Sequence, residues 1–190
     1  FEVTLGGRRA HTARAWMGRN AIHRLGELLS GIDAYEPRQP VILGCEFHEA
    51  LQVVSVEGGV AGNVVPDLVS MKVIHRFAPD RSLAEAEAHI RDFVGQWLEP
   101  GDSISVVDSA PAAYPAVEEP MVAALIEQRS LAVRAKLGWT DVARFTSMGI
   151  PAINLGPGIA ALAHTAEERV ERESLECTFR VLDGLVFAGD

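Results

Sequence analysis

The stretch "DLVSMKVIHRFAPDRSLAEAEAHI", residues 67–90, changes its period halfway along. Over residues 68–77, Val69, Met71 and Val73 fall on one side and Lys72, Ile74 and Arg76 on the other, the two-residue repeat of a half-buried strand. "APDRS" is a turn, and Ser82-Leu83-Ala84-Glu85 is a capping box, in which the serine and the glutamate three residues on satisfy each other's backbone N–H groups. A helix is therefore predicted from there to about residue 98, ended by Pro100-Gly101, with "SISVVDS" a short strand beyond it. A strand, a turn, a helix and another strand are thus legible in some forty residues.

Working outward, "FHEALQVVSVEGG" reads as a strand closed by a turn at Gly58-Gly59, and Pro37 and Pro40 mark a loop before it. Met17, Ala21, Leu25, Leu28 and Leu29 have helical spacing over residues 16–30, with Gly31 as the expected stop. "FEVTLGGRRAH" opens the chain as a strand that points Phe1, Val3 and Leu5 to one face. The order over residues 1 to 110 is β-α-β-β-α-β, the split arrangement of ferredoxin-like domains. One face of such a sheet packs on two helices, and the other stays open.

"SAPAAYP" is a proline- and alanine-rich connector and the expected domain boundary, giving units 1–110 and 111–190. Beyond it the sequence predicts a helix near 118–136, the loop "LGWTD" and a short helix or turn through Met148. The apolar strand "IPAINL", the His164 loop and a helix over 173–187 follow. That last helix carries Leu175, Phe179, Leu182 and Val186 on one stripe, which is expected to be buried against something. One strand and three helices make a fraction of an α/β domain.

Composition narrows the function classes. With 48% hydrophobic and 23% charged residues, the chain is expected to be a soluble globular protein. Its net charge of −9 disfavours nucleic acid and anionic membrane as partners, while local arginines leave room for a small anionic substrate. Cys45 and Cys177 are the only cysteines, which argues against a disulfide framework or a cysteine zinc site and makes a reducing cytoplasm the expected location. The sequence opens at Phe1 with neither an initiator methionine nor a basic-then-apolar signal pattern, and the expectation is that its N-terminus has been removed or that it is an excised piece.

Five residues and two glutamate pairs stand out for chemistry, each with an ordinary alternative left open on local pattern alone. His164 follows a strand end, where ligand sites of open α/β sheets form, or is a surface histidine. His11 ends the first strand, either reaching out toward a ligand or merely closing the strand. Asn63 suits turn chemistry as well as binding. Arg76 and Arg144 are candidates for a two-bond carboxylate contact, or solvated arginines. The pairs Glu118-Glu119 and Glu167-Glu168 sit where helix starts ordinarily carry acids.

Taken together, "GRRAHTARAWMGRNAI", "AGNVVPD", "HRFAPDRS", "GWTDVARF", "GIPAINLGPG" and "AHTAEERV" resemble, in order and over nearly the whole chain, the dinuclear-zinc amidohydrolases. That family includes aminoacylases, acetylornithine deacetylase and succinyl-diaminopimelate desuccinylase, and the desuccinylase branch is the most similar. The resemblance implies a lid that forms a homodimer over residues 1–110, and the C-terminal part of an α/β catalytic domain over 111–190. Two Zn²⁺ (or Co²⁺) ions per full-length subunit are implied, with most of their ligands in an N-terminal catalytic segment outside this sequence. His164 matches the last metal ligand, the only one in the chain. His11 matches the lid histidine that crosses the dimer interface and donates to the oxyanion, an interaction typically worth about 3–4 kcal/mol of barrier. Asn63 matches a substrate-binding partner from the neighbouring subunit, and Arg76 a carboxylate clamp. Thr140 and Arg144 match substrate contacts, and Gly156 the loop shaping the pocket. Departures are Ala15 where relatives often have proline, Ile74 where they have asparagine, and Trp139 where they have a second glycine.

The implied activity is hydrolysis of a succinyl amide, with a related deacylase or carboxypeptidase as the runner-up. A non-catalytic dimerisation module is the rival from another class. The 190 residues alone are expected to be inactive.

Overall fold

The computed structural model describes residues 1–187. Strands β1 (Glu2–Gly6), β2 (Ala50–Gly58), β3 (Leu68–Arg76) and β4 (Ser103–Ser105) form one antiparallel sheet in the order β2-β3-β1-β4. Helices α1 (Ala21–Asp33) and α2 (Leu83–Gly95) lie between β1 and β2 and between β3 and β4 in the chain. This is the β-α-β-β-α-β order expected from the sequence, and the topology is ferredoxin-like.

The alternation does what the pattern demands. Val3 pairs with Met71 and Leu5 with Val69, so the inward residues of β1 and β3 stand side by side beneath the helices. They close a core with Leu25, Leu28 and Ile32 of α1 and Ile90 and Val94 of α2. β2 departs from strict alternation. Leu51 and Val53 face the helices, a bulge between Val53 and Ser55 shifts the register, and Val56 then pairs with Met71 and Gly58 with Val69. Val54, left without a partner at the bulge, lies on the open face.

α1 begins four residues later than its apolar spacing suggests. Thr12–Met17 is a 3₁₀ segment with Met17 exposed, and the Asn20 side chain caps the true start by accepting from Ile22 N–H at 2.9 Å. Leu29 is likewise partly exposed, and Ile32 takes the inward place. Gly31 does not stop the helix. It lies within it because a Cβ there would collide with the ring of Trp97, so the glycine admits a close approach. α2 has the expected capping box, with Ser82 Oγ accepting from Glu85 N–H and Glu85 accepting from Ser82 N–H.

Two charged clusters tie the ends of this unit. Arg24 grips Asp102 through two bonds of 2.8 and 2.6 Å, and Asp102 also accepts from Gly6 N–H and Glu99 N–H. The Arg24 guanidinium and these N–H groups hold the Asp102 carboxyl down at about 2. At the other end, Glu49 is almost wholly buried. It accepts from Arg38 at 2.6 Å and from Ala78 N–H at 3.1 Å, with Arg81 at 3.5 Å. Burial pushes that carboxyl up, and the arginines and the N–H more than offset it. A short hairpin, Val41–Ile42 with Cys45–Glu46, turns through Leu43 and Gly44, both at positive φ.

The C-terminal stretch is less regular than expected. α3 (Pro120–Arg129) ends at Ser130, which takes the left-handed conformation, rather than running to residue 136. α4 is Val142–Ser147 and α5 is Arg172–Phe187. Residues 151–155, expected to be a strand, form no ladder, because a strand needs a partner to take its N–H and C=O groups. The α5 stripe of Leu175, Phe179, Leu182 and Val186 is exposed, not buried. Among the described residues of this stretch, Val122, Leu125, Ala143 and Val181 are the buried apolar ones. No helix among the described residues is long and apolar enough to cross a membrane.

Candidate functional site

His11 stands on a two-residue ladder that continues the run-out of β1. Ala10–His11 pairs antiparallel with Val64–Val65, and Thr12 N–H donates to the Asn63 carbonyl at 2.9 Å. The backbone therefore brings His11 and Asn63 together, and both residues are exposed. His11 Nδ1 accepts from Ala13 N–H at 3.1 Å. In the neutral ring that assigns the proton to Nε2, leaving one N–H donor available to a ligand. A donor of this kind can serve an oxyanion.

A second set of candidates meets elsewhere. The open face of the sheet and the stretch after residue 105 enclose a cleft of about 1730 Å³. Arg76, Thr140, Arg144 and Gly156 all line it. Arg76 reaches it because its place in β3 sets it on the face away from the helices, with Lys72 two repeats earlier. Arg144 lies on α4, with Nε 3.5 Å from Asp141 and the guanidinium carbon 5.3 Å from the centre of the Trp139 ring. Thr140 Oγ accepts from Asn154 Nδ2 at 3.2 Å. Although the chain is acidic, Lys72, Arg76, Arg134, Lys136, Arg144 and Arg169 line this cleft against only Glu87, Asp108 and Glu168. A concave surface with that balance attracts anions. Lys72, Trp139 and Asn154 were not singled out as binding groups from sequence. The outward parity of Lys72 was the available signal for the first, and nothing local marked Asn154.

His164 and His11 do not line the cleft. His164 is exposed, in a loop whose neighbours Ala163 and Glu168 reach the cleft wall. Its φ of 65° is left-handed, a conformation that costs a non-glycine residue on the order of 1 kcal/mol. The loop holds it there by a bond from His164 N–H to Glu168 Oε2 at 2.9 Å. Among the described residues no three His, Cys, Asp or Glu side chains are grouped so as to hold a metal ion. One histidine on a loop does not by itself fit a two-zinc centre, which needs about three protein ligands per ion.

Behind Glu49 lies a polar cluster that the sequence reading did not pick out. His75 follows Val69, Met71 and Val73 on the inward side of β3, and its ring centre is 5.9 Å from that of His89 on α2. Tyr35 Oη and His89 Nε2 are hydrogen-bonded at 2.9 Å. Burial pushes the His75 imidazole down to about 4, with the neighbouring Glu49 charge opposing it. Its Nε2 has no hydrogen-bond partner among the described residues.

Residues 1–102 match the family described as the peptidase dimerisation domain of the M20 group. Succinyl-diaminopimelate desuccinylase of Corynebacterium glutamicum is 41% identical over 176 residues, 92% of this chain and 48% of its own length. A Mycobacterium tuberculosis protein bearing the same enzyme name is 48% identical over 169 residues, 88% of this chain and 47% of its own. The chain thus spans about half the length of the curated relatives it matches. Among solved structures, aminopeptidase PepT of Bacillus cereus superposes with a TM-score of 0.67 at 19% identity, covering 95% of this chain and 48% of that one. At that identity the likeness shows the fold.

Proposed function

The chain belongs to the M20 peptidase dimerisation-domain family, and from that premise we propose that the whole protein hydrolyses the succinyl amide of N-succinyl-LL-2,6-diaminopimelate. The products are succinate and diaminopimelate, a precursor of lysine and cell-wall peptides. The desuccinylase names of relatives at 41–48% identity support the branch. The observation that carries the reading is the cleft itself, where six lysines and arginines converge in a chain of net charge −9. A substrate bearing several carboxylates is what such a surface selects.

In this reading residues 1–110 act as a lid that pairs with a second copy, and residues 111–190 complete the catalytic domain. Metal dependence comes with the reading, and in the bound state the metal supplies Lewis-acid activation of water. His164 would be this chain's one ligand to it, the remaining ligands coming from outside these residues. The chain's own contributions are binding and charge stabilisation. Arg76 and Arg144 hold substrate carboxylates, Thr140 donates its hydroxyl proton, and the loop at Gly156 shapes the wall. His11, reaching a neighbouring subunit with Asn63, donates Nε2–H to the oxygen that becomes negative as the amide carbonyl turns tetrahedral.

The test is a substrate comparison with the whole protein: N-succinyl-diaminopimelate against N-acetylornithine and simple N-acyl amino acids. The succinylated substrate should be turned over with the highest kcat/KM. If it is ignored while an acetylated substrate is cleaved, the branch assignment falls and a related deacylase takes its place.

A further inference from the structure

We propose that Trp139 is a positioning residue that fixes Arg144 for end-on capture of a substrate carboxylate, an inference that rests on Arg144 being a substrate contact. A guanidinium offers a carboxylate two paired edges: Nε with one Nη, or the two Nη groups together. In Arg144 Nε lies 3.5 Å from Asp141, and the guanidinium carbon sits over the Trp139 ring, 5.3 Å from its centre. No acceptor among the described residues bonds its two Nη groups. The edge left open is therefore the end-on one.

The neighbouring residues agree with this direction. Trp139, Thr140 and Arg144 all line the same cleft. Because Thr140 Oγ accepts from Asn154 Nδ2, its own proton is free to donate beside the guanidinium. The Arg144 side chain is itself 71% exposed, and a long exposed side chain otherwise samples many rotamers. Ordering it at the moment of binding costs affinity, and a ring already within cation–π reach of it removes part of that cost. Trp139 is 41% exposed and stands outside the buried core, so an effect on binding is separable from an effect on folding.

The experiment is a double-mutant cycle in the whole protein, with N-succinyl-diaminopimelate as substrate. Trp139→Ala should raise KM about twofold to fivefold, with kcat and Tm unchanged. Trp139→Phe, which keeps a ring face, should recover part of the loss. In an Arg144→Ala background, Trp139→Ala should add nothing, since the residue it positions is gone. An equal effect in both backgrounds, or a fall in kcat at constant KM, overturns the inference. If Arg144→Ala raises KM and neither Trp139 variant does, the positioning role alone is wrong. If Arg144→Ala leaves KM unchanged for every acylated amino acid tried, both this inference and the reading of Arg144 fall.

Discussion

The sheet unit of residues 1–105 and the stretch from Pro111 to Phe187 differ first in where their apolar side chains go. In the former, Val3, Leu5, Leu25, Leu28, Met71 and Val73 are sealed between sheet and helices. In the latter, Leu175, Phe179, Leu182 and Val186 line up on one helix and stay exposed. Both regions carry candidate functional residues, but on different footings. His11 and Asn63 stand on a closed scaffold with a paired backbone. Thr140, Arg144 and His164 stand on loops and short helices, where side-chain stacking and single hydrogen bonds set the geometry. A finished core fixes a site by its backbone, while an open one leaves local side-chain contacts to do so.

The largest effect expected from this contrast is at His11. In the whole protein, His11→Ala should lower kcat about 10²- to 10³-fold, the usual loss for one oxyanion donor. Metal content and Tm should stay as in the parent, because His11 is exposed and contributes little to packing. Loss of bound metal on elemental analysis would make His11 a ligand and remove it from the donor role.

Next in size is the packing difference itself. In the 190-residue chain, Leu28→Ala should cost about 2–5 kcal/mol in urea unfolding, as truncations in closed cores do. Leu182→Ala should change stability by less than about 0.5 kcal/mol, in line with exposed positions. Similar losses at both positions would mean that the α5 stripe is covered in solution.

The smallest effect concerns the polar end of the sheet unit. His75 is held neutral in the fold, with its imidazole at about 4 against an ordinary value near 6.5. The unfolded chain therefore binds a proton that the folded chain does not. Stability contributed by the neutral ring is intact above about pH 6.5 and is lost as pH falls toward 4. Between pH 7 and pH 5 the loss should be about 1–2 kcal/mol, and His75→Gln should flatten that part of the profile. An unchanged slope in the variant would place the acid sensitivity elsewhere. The Asp102 carboxyl, held at about 2, adds a separate loss only below about pH 4.

The two regions were also unequally legible in sequence. β3 and α2 were readable because alternation and a capping box are local, and each was completed by residues a few places away. The bulge at Val53–Ser55 was not, since it shows only against the partner strand. Gly31 read as a stop because its reason, the Trp97 ring, lies 66 residues onward. Residues 151–155 have the composition of a strand, yet composition cannot supply the neighbour that a ladder requires. Arg76 and Arg144 were each visible as arginines, but their convergence on one cleft is a tertiary fact. The metal-ligand role proposed for His164 rests on the order of six segments, since its loop alone suits a surface histidine equally well.

The short ladder at His11 has a further consequence. Since Ala10–His11 is pinned to Val64–Val65 and Thr12 to Asn63, the histidine and the asparagine share a single degree of freedom. They shift together or not at all. Gly7 N–H to the Asp67 carbonyl and Ala21 N–H to the Pro66 carbonyl hold the same segment from its other side, so a change in the length of the exposed turn before Asn63 is taken up by the turn and leaves the pair where it is.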